Sequence, residues 1–172
     1  MKLYKGKIPV IAQEVITKLV ENGDLEIDPE YRAEAEKDLI SIMNAYLYTE
    51  NRLRSEVKDY MAVNKISYDQ KGDIRREIAK EMNHPIGDKV MPFLASQLNQ
   101  IILNSPNFEE VYAEDRAIQK VIFDVLRAHN VNEKELYEEA RAKLLHLSEN
   151  SMEFQIRFPD ALNDVRRKRG LL

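Results

Sequence analysis

Residues 9–20, PVIAQEVITKLV, are echoed by residues 92–103, PFLASQLNQIIL, with apolar side chains at matching positions. The correspondence continues at a constant offset of 83 residues, without a gap, from Pro9 to Met61. Further aligned apolar pairs are Leu39 and Ile122, Ile42 and Val125, Met43 and Leu126, Leu53 and Leu136, Val57 and Ala140, and Met61 and Leu144. The echo predicts one helical unit used twice, an internal duplication, although two amphipathic helices can also agree in phase by chance.

The composition fits a helical domain of ordinary size. A chain of 172 residues makes one domain or two small ones that share a core, and 44% apolar residues suffice to build it. The charged fraction of 33% is typical of helices with a solvated face. Alternating β-branched and aromatic runs bounded by turn residues are missing, so the sequence predicts an all-α fold with almost no sheet.

A heptad pattern predicts one long helix over residues 29–64. Its seam advances in alternating steps of four and three residues, which is typical of a helix lying nearly parallel to a partner helix. The seam comprises Ala35, Leu39, Met43, Tyr46, Glu50, Leu53, Val57 and Tyr60. Glu50 interrupts the apolar run, which indicates either a kink or a place without a partner. Thr49 aligns with Asn132, which forms a capping-box pattern with Glu135, and this favours a kink near Thr49.

The remaining helices are predicted from their starts and stops. Pro9 suits a helix start and Gly23 a left-handed stop, whereas Pro159 should bend the last helix or delay its start. The predicted helices after the long one run from Ser67 to about Asn83 and near 89–104, 114–129, 133–148 and 152–169. We divide the chain into an N-terminal helical half at 1–66, a connecting helical hairpin at 67–105, and a C-terminal helical half with a basic end at 106–172.

Charge and cysteine content narrow the class of protein. The net charge of −4 argues against a general polyanion binder, and the absence of cysteine excludes disulfides and thiolate chemistry. Charge is also unevenly spread, because residues 107–150 carry an excess of acids and residues 151–172 an excess of bases. No signal-peptide pattern or apolar stretch of about 20 residues occurs, so we expect a cytoplasmic protein without a membrane span.

Several short stretches resemble a known family. They are MKLYKGKIP at residues 1–9 followed by Ile11 and Ala12, GDLE at 23–26, RREIA at 75–79, and the closing segment from SEN at 148–150 to RRKRG at 166–170. In these stretches the chain resembles the uncharacterised bacterial domain of unknown function 507 family over nearly its whole length. Phe154 stands where we expect a tryptophan. The resemblance implies a helical, cytoplasmic, bacterial protein, and it transfers no catalytic residue because the family carries no established activity.

No constellation for catalysis or metal binding is evident. Glu81 and His84 have the E-x-x-H spacing of a di-iron helix, but neither His129 nor His146 has a carboxylate three residues before it. We therefore interpret His84 as a histidine at a helix end, where the helix dipole favours it. No nucleophile elbow or glycine-rich phosphate loop occurs, so we expect no metal and no cofactor, and a non-enzymatic protein is favoured without excluding an enzyme.

The strongest indication of nucleic-acid binding is a set of basic residues. The candidate phosphate-binding residues are Arg157, Arg166, Arg167, Lys168 and Arg169, with Arg75 and Arg76 as further contributors. Cations at the end of a helix also stabilise its dipole, and this cluster could instead dock on the acidic segment 107–150. Residues 75–98 have the order of a helix-turn-helix but carry few cations on the second helix, so a packed helical hairpin is favoured there.

The strongest signal for a protein partner lies on the long helix. This helix is apolar on more than one face at Tyr46, Leu47 and Tyr48. Its seam continues through Leu53 and Val57. Our leading hypothesis is thus a non-enzymatic interaction or adaptor protein that binds a partner, or itself, along this helix. The alternative is a nucleic-acid-associated protein that uses the basic C-terminal helix. A monomer that buries the seam internally would exclude self-association through it.

Overall fold

The computed structural model describes all 172 residues and is built almost entirely of helices. The seven α-helices are α1 Ile8–Glu21, α2 Arg32–Val63, α3 Lys71–Glu81, α4 Val90–Asn104, α5 Asp115–Ala128, α6 Glu133–Ala142 and α7 Met152–Lys168. Two short strands, β1 Leu25–Glu26 and β2 Glu110–Val111, pair antiparallel with Leu25 opposite Val111. The prediction of an all-α fold with almost no sheet is confirmed.

The ends of α1 follow the expected local chemistry. Pro9 lies in the first turn, where its missing N–H needs no partner. At the other end Gly23 has a φ of 74°, and its N–H donates to the carbonyl of Val20 at 3.0 Å. The N–H of Asp24 reaches back to the carbonyl of Leu19 at 2.9 Å, so a left-handed glycine closes the helix.

The long helix α2 is continuous. It runs from Arg32 to Val63 through Thr49 and Glu50 without an interruption. The interpretation of Glu50 as a place without a partner is wrong, because that side chain is buried against neighbouring polar groups. The stretch aligned with it at the 83-residue offset does break, between α5 and α6, where the side chain of Asn132 accepts a hydrogen bond from the N–H of Lys134 at 3.1 Å.

Two other boundaries differ from the sequence prediction, and the start of α7 agrees with it. Ser67 precedes a short 3₁₀ turn, and α3 begins only at Lys71. Helix α6 ends at Ala142 rather than near 148. Pro159 does not delay α7, because Ser151 caps that helix by accepting the N–H of Phe154 at 3.2 Å, eight residues before the proline.

The largest core joins α1, the first part of α2, α4 and α5. It contains 22 buried residues, among them Ile11, Val15, Leu19, Leu39, Met43, Leu94, Leu98, Ile102, Ile118, Ile122 and Val125. Two smaller cores lie beside it. One contains Leu53 and Val57 of α2 with Ile78 and Ala79 of α3. The other joins α6 and α7 to residues near both ends of the chain: Tyr4, Leu136, Ala140, Leu144, Ala161, Leu162, Val165 and Leu171. The largest core draws residues from all three predicted segments, 1–66, 67–105 and 106–172.

Gly6 holds the N-terminal segment against the end of the chain. Its N–H points to the carbonyl of Leu171 at 3.4 Å, and a Cβ at this position would overlap the carbonyl oxygen of Gly170. Gly6→Ala is therefore expected to lower the free energy of unfolding by about 2 kcal/mol through overpacking, as measured by urea denaturation.

The matched control for Gly6→Ala is Gly72→Ala. Gly72 lies in α3 with open space around it and no left-handed backbone, so alanine there should raise the free energy of unfolding by about 0.5 kcal/mol. A neutral Gly6→Ala would contradict the close approach of the two ends.

Candidate functional site

A buried carboxylate organises the middle of the molecule. Glu50 of α2 is 6% exposed, and its two oxygens accept hydrogen bonds from Arg75 of α3 at 2.9 and 3.0 Å. The Nε of Arg54, one turn further along α2, lies 3.0 Å away. The Nε2 of His84, in the loop before α4, lies 3.1 Å from Glu50 Oε2. This cluster, Glu50, Arg54, Arg75 and His84, ties α2, α3 and the loop together.

Tyr46 completes one side of the cluster. Its ring stacks on the His84 imidazole with 4.7 Å between centroids, and its hydroxyl donates to the carbonyl of Pro85 at 3.3 Å. Burial, and then the negative charge of Glu50, raise the pKa of Tyr46 to about 12. Burial alone would raise the pKa of Glu50, but the hydrogen bonds and charge of Arg75 outweigh it and the net pKa is lowered. Glu50 is therefore held as a carboxylate.

His84 has a different setting from the one that the sequence suggested. It is buried, whereas Glu81 of the E-x-x-H pattern is exposed, and its partner is a glutamate 34 residues earlier. No three His, Asp or Glu side chains come together as a metal site. The only signal in the sequence was the acidic residue inside an apolar heptad seam, and nothing local connects that residue to position 84.

Two adjoining grooves open beside the cluster. The first, of about 350 Å³, is lined by Glu50, Arg54 and Arg75 together with the N-terminal segment and with Ile86, Gly87 and Val90. The second, of about 430 Å³, lies between the N-terminal segment, the exposed side of α2 and the end of the chain. Both grooves share Lys2, Leu3, Leu47 and Arg54. We call the pair the α2 grooves.

The α2 grooves bring together residues from both sequence hypotheses. From the proposed protein interface, Tyr46 and Leu47 line the first groove, and Leu47 and Tyr48 line the second. From the basic set, Arg75 lines the first groove and Arg166 the second. No pattern in the sequence indicated that these residues would meet, because α7 returns to α2 only through the packing of the chain ends.

The heptad seam of α2 is covered by other helices of the same chain. Tyr46, Leu53 and Val57 are buried at 7%, 0% and 2% exposure, against α3, α4 and the loop between them. Leu47 is half-buried, and Tyr48 is 68% exposed. Of the five residues predicted as a protein interface, Tyr48 is the one that stands free at the surface.

Most of the predicted basic residues have acidic partners. Arg76 pairs with Asp73, Arg157 with Glu153, Arg167 with Asp164, Arg169 with Glu135 and Glu139, and Arg166 approaches Glu133 at 3.9 Å. Lys168 has no ion pair. The basic end of α7 is thus docked on the acidic helix α6 through Arg166 and Arg169, which is the intramolecular arrangement considered from the sequence.

The turn between α6 and α7 exposes apolar side chains. Leu145 is 83% exposed, and it lines a groove of about 330 Å³ with Leu147 and Phe154. Met152 and Ile156, one turn apart at the start of α7, are 78% and 67% exposed. We call these five residues the hairpin patch.

The comparison with known proteins identifies the family. The sequence matches the family described as "Protein of unknown function (DUF507)" over residues 1–171. The chain therefore belongs to this family, as the resemblance in its sequence implied. No curated protein matches it. None of its helices combines the length and the apolar character needed to cross a membrane.

Proposed function

We propose that this chain is a non-enzymatic protein-interaction or adaptor protein whose partner binds at the hairpin patch. The observation that carries the proposal is the exposure of Leu145, Met152 and Ile156 on one short hairpin. Three large apolar side chains exposed within the twelve residues 145–156 exceed the single scattered ones that a folded domain normally leaves in water, and such exposure marks interaction sites. The polar rim of Glu138, Arg141 and Glu149 around the groove fits the anatomy of such an interface.

The hairpin patch takes over the role first assigned to the seam of α2. A partner that bound through Leu53 or Val57 would have to displace α3, because that helix already covers them. In this proposal α2 acts as the scaffold that connects the largest core with the core shared with α3, and the partner binds side chains that are exposed in the folded protein. Self-association through the buried seam is not proposed.

Capture of a partner by tagged protein, from native lysate treated with nuclease, tests this proposal. Leu145→Asp is expected to abolish recovery of a discrete partner, because it places a charge in the apolar contact. Val63→Asp is the matched control, since Val63 is 80% exposed at the far end of α2 and outside the patch. Equal recovery with wild type and both variants would overturn the hairpin patch as the interface.

The alternative function, nucleic-acid association through the basic end of α7, receives less support from the contacts. Arg169 is held by Glu135 and Glu139, so phosphates would have to compete with these carboxylates. Recovery of nucleic acid from lysate without nuclease, lost when residues 166–169 become alanine, would favour this alternative over the adaptor.

We also infer that the two halves are one helical unit used twice. Supporting this, α2 and α5 begin 83 residues apart, and α1 and α4 end 83 residues apart. Glu50 and Glu133 hold equivalent positions, and each contacts a side chain from the segment that precedes α4 or α1. The antiparallel pairing of β1 with β2 is what a twofold relation between the halves requires.

A further inference from the structure

We propose that the α2 grooves bind single-stranded nucleic acid, with the phosphates on the groove cations and a base stacked on Tyr48. This site is separate from the hairpin patch and from the basic end of α7 as a whole. Only Arg166 of that end takes part, as a wall of the second groove. Failure of this proposal would leave the adaptor proposal intact.

The charge of the α2 grooves is opposite to that of the chain. Their lining side chains include five cations: Lys2, Lys5, Arg54, Arg75 and Arg166. Glu50 is the one acidic side chain in the lining, and Glu133 is counted with it because it pairs with Lys2 and Arg166. Five cations against two carboxylates leave three positive charges in excess, on a chain whose net charge is −4. Such a local excess attracts a polyanion that the rest of the surface repels.

Lys5 is the cation most available to a ligand. It is exposed, lines the second groove and has no ion pair, whereas Lys2 and Arg54 are each held by a glutamate. The paired cations are fixed in place before a ligand arrives, which limits the ordering cost of binding. Arg54 retains half of its exposure, so its guanidinium can pair with Glu50 and still face the groove.

The exposed side of α2 offers groups that recognise bases. Asn44, Tyr48 and Asn51 line the second groove at spacings of four and three residues, so they lie on one face of the helix. The Tyr48 ring, 68% exposed, provides a stacking surface, and aromatic stacking is the common means by which proteins hold unpaired bases. The amides of Asn44 and Asn51 can donate to and accept from base edges.

The shape of the site favours a single strand over a duplex. Both grooves are concave, whereas reading a duplex requires an element that protrudes into its groove. An acidic protein segment would satisfy the cations, but it would leave the exposed Tyr48 ring without a stacking partner. Charge and aromatic exposure together therefore favour an unpaired nucleic acid strand.

Fluorescence anisotropy with a labelled twelve-nucleotide oligouridylate tests the proposal at about 50 mM salt, with a titration to about 200 mM. Wild type should bind, and Tyr48→Ala should weaken binding about tenfold. Lys5→Ala should weaken binding and reduce the slope of the salt dependence by about one. Tyr60→Ala and Lys58→Ala are the matched controls on α2 outside the grooves, and they should bind like wild type.

Competitors distinguish the possible occupants. Unlabelled oligouridylate should displace the probe, whereas hexaglutamate and a twelve-base-pair DNA duplex at equal charge should not. Absence of binding at low salt would overturn the proposal, and so would equal losses in the groove variants and the control variants. Equal displacement by hexaglutamate would assign the grooves to an acidic protein segment instead, and equal displacement by the duplex would exclude specificity for unpaired strands. Circular dichroism of each variant verifies that it is folded.

Discussion

Replacing Arg75 with methionine is expected to lower the free energy of unfolding by about 3 kcal/mol at neutral pH, as measured by urea denaturation. Arg75 supplies two of the hydrogen bonds that hold the Glu50 carboxylate, which is 6% exposed. Without the guanidinium, a buried charge keeps only Arg54 and His84 as partners. Removing one member of a buried ion pair costs more than the pair contributes, because the other charge stays desolvated.

Two further variants separate this effect from general damage to α3. Arg76→Met removes a neighbouring arginine that is exposed and paired with Asp73, and it should change stability little. Glu50→Met combined with Arg75→Met removes both members of the ion pair, including the buried carboxylate, and should recover most of the lost stability. A double variant as unstable as Arg75→Met alone would contradict the role assigned to the unpaired carboxylate.

The cost of Arg75→Met should also depend on pH. In the wild type the pKa of Glu50 is lowered, so the ion pair stabilises the fold above the unfolded pKa, near 4, and this contribution is lost as the pH falls through the lower folded pKa. In Arg75→Met the main opposing charge is gone, so burial shifts the pKa of the Glu50 carboxyl upward. The difference in stability between the two proteins is therefore expected to be largest near pH 7, to shrink as the pH falls below the raised pKa of the variant, and to level off below the lowered pKa of the wild type. A difference that stays constant over this range would contradict the electrostatic origin.

Leu39→Ala is expected to lower the free energy of unfolding by about 3 kcal/mol. Leu39 of α2 is fully buried in the largest core, in contact with the cluster formed by α1, α4 and α5. Truncation removes apolar contacts and leaves a cavity that helices anchored on several sides can fill only in part. Urea denaturation measures the loss. Leu145→Ala is the control, because Leu145 is 83% exposed and its truncation should change stability little. A loss below about 1 kcal/mol at Leu39 would show that the core relaxes around the missing side chain.

Periodicity was enough to predict the helices and the buried seam. The predicted helix at 114–129 lies at Asp115–Ala128, and the one at 89–104 lies at Val90–Asn104. Every predicted seam position from Ala35 to Val57 is buried, because a heptad repeat places the same face inward over the whole length. Tyr60 is exposed, and the next residue, Met61, packs against the neighbouring core instead.

The candidate site escaped prediction because its parts are distant in sequence. Glu50 looked like a defect in an apolar pattern, but its partners lie on another helix and in a loop, at positions 75 and 84. Likewise, α6 is shorter than predicted, because residues 143–147 form turns after Ala142. Leu144 in these turns is still buried, so the apolar pattern alone could not reveal where the helix ends. Apolar periodicity reports which face is inward, and it does not report which polar groups meet there.

The core shared by α6, α7 and the N-terminal segment has a consequence for the order of folding. Tyr4 packs with Leu136 and Leu171, and its hydroxyl donates to Glu133, 129 residues further along the chain. Tyr4 and its neighbours can therefore find their place only after residues 133–171 have been synthesised. Contacts of such high sequence separation carry the entropy of closing a long loop. We expect closure of this core to be a late step of folding, during which α6 and α7 are exposed to proteases and chaperones.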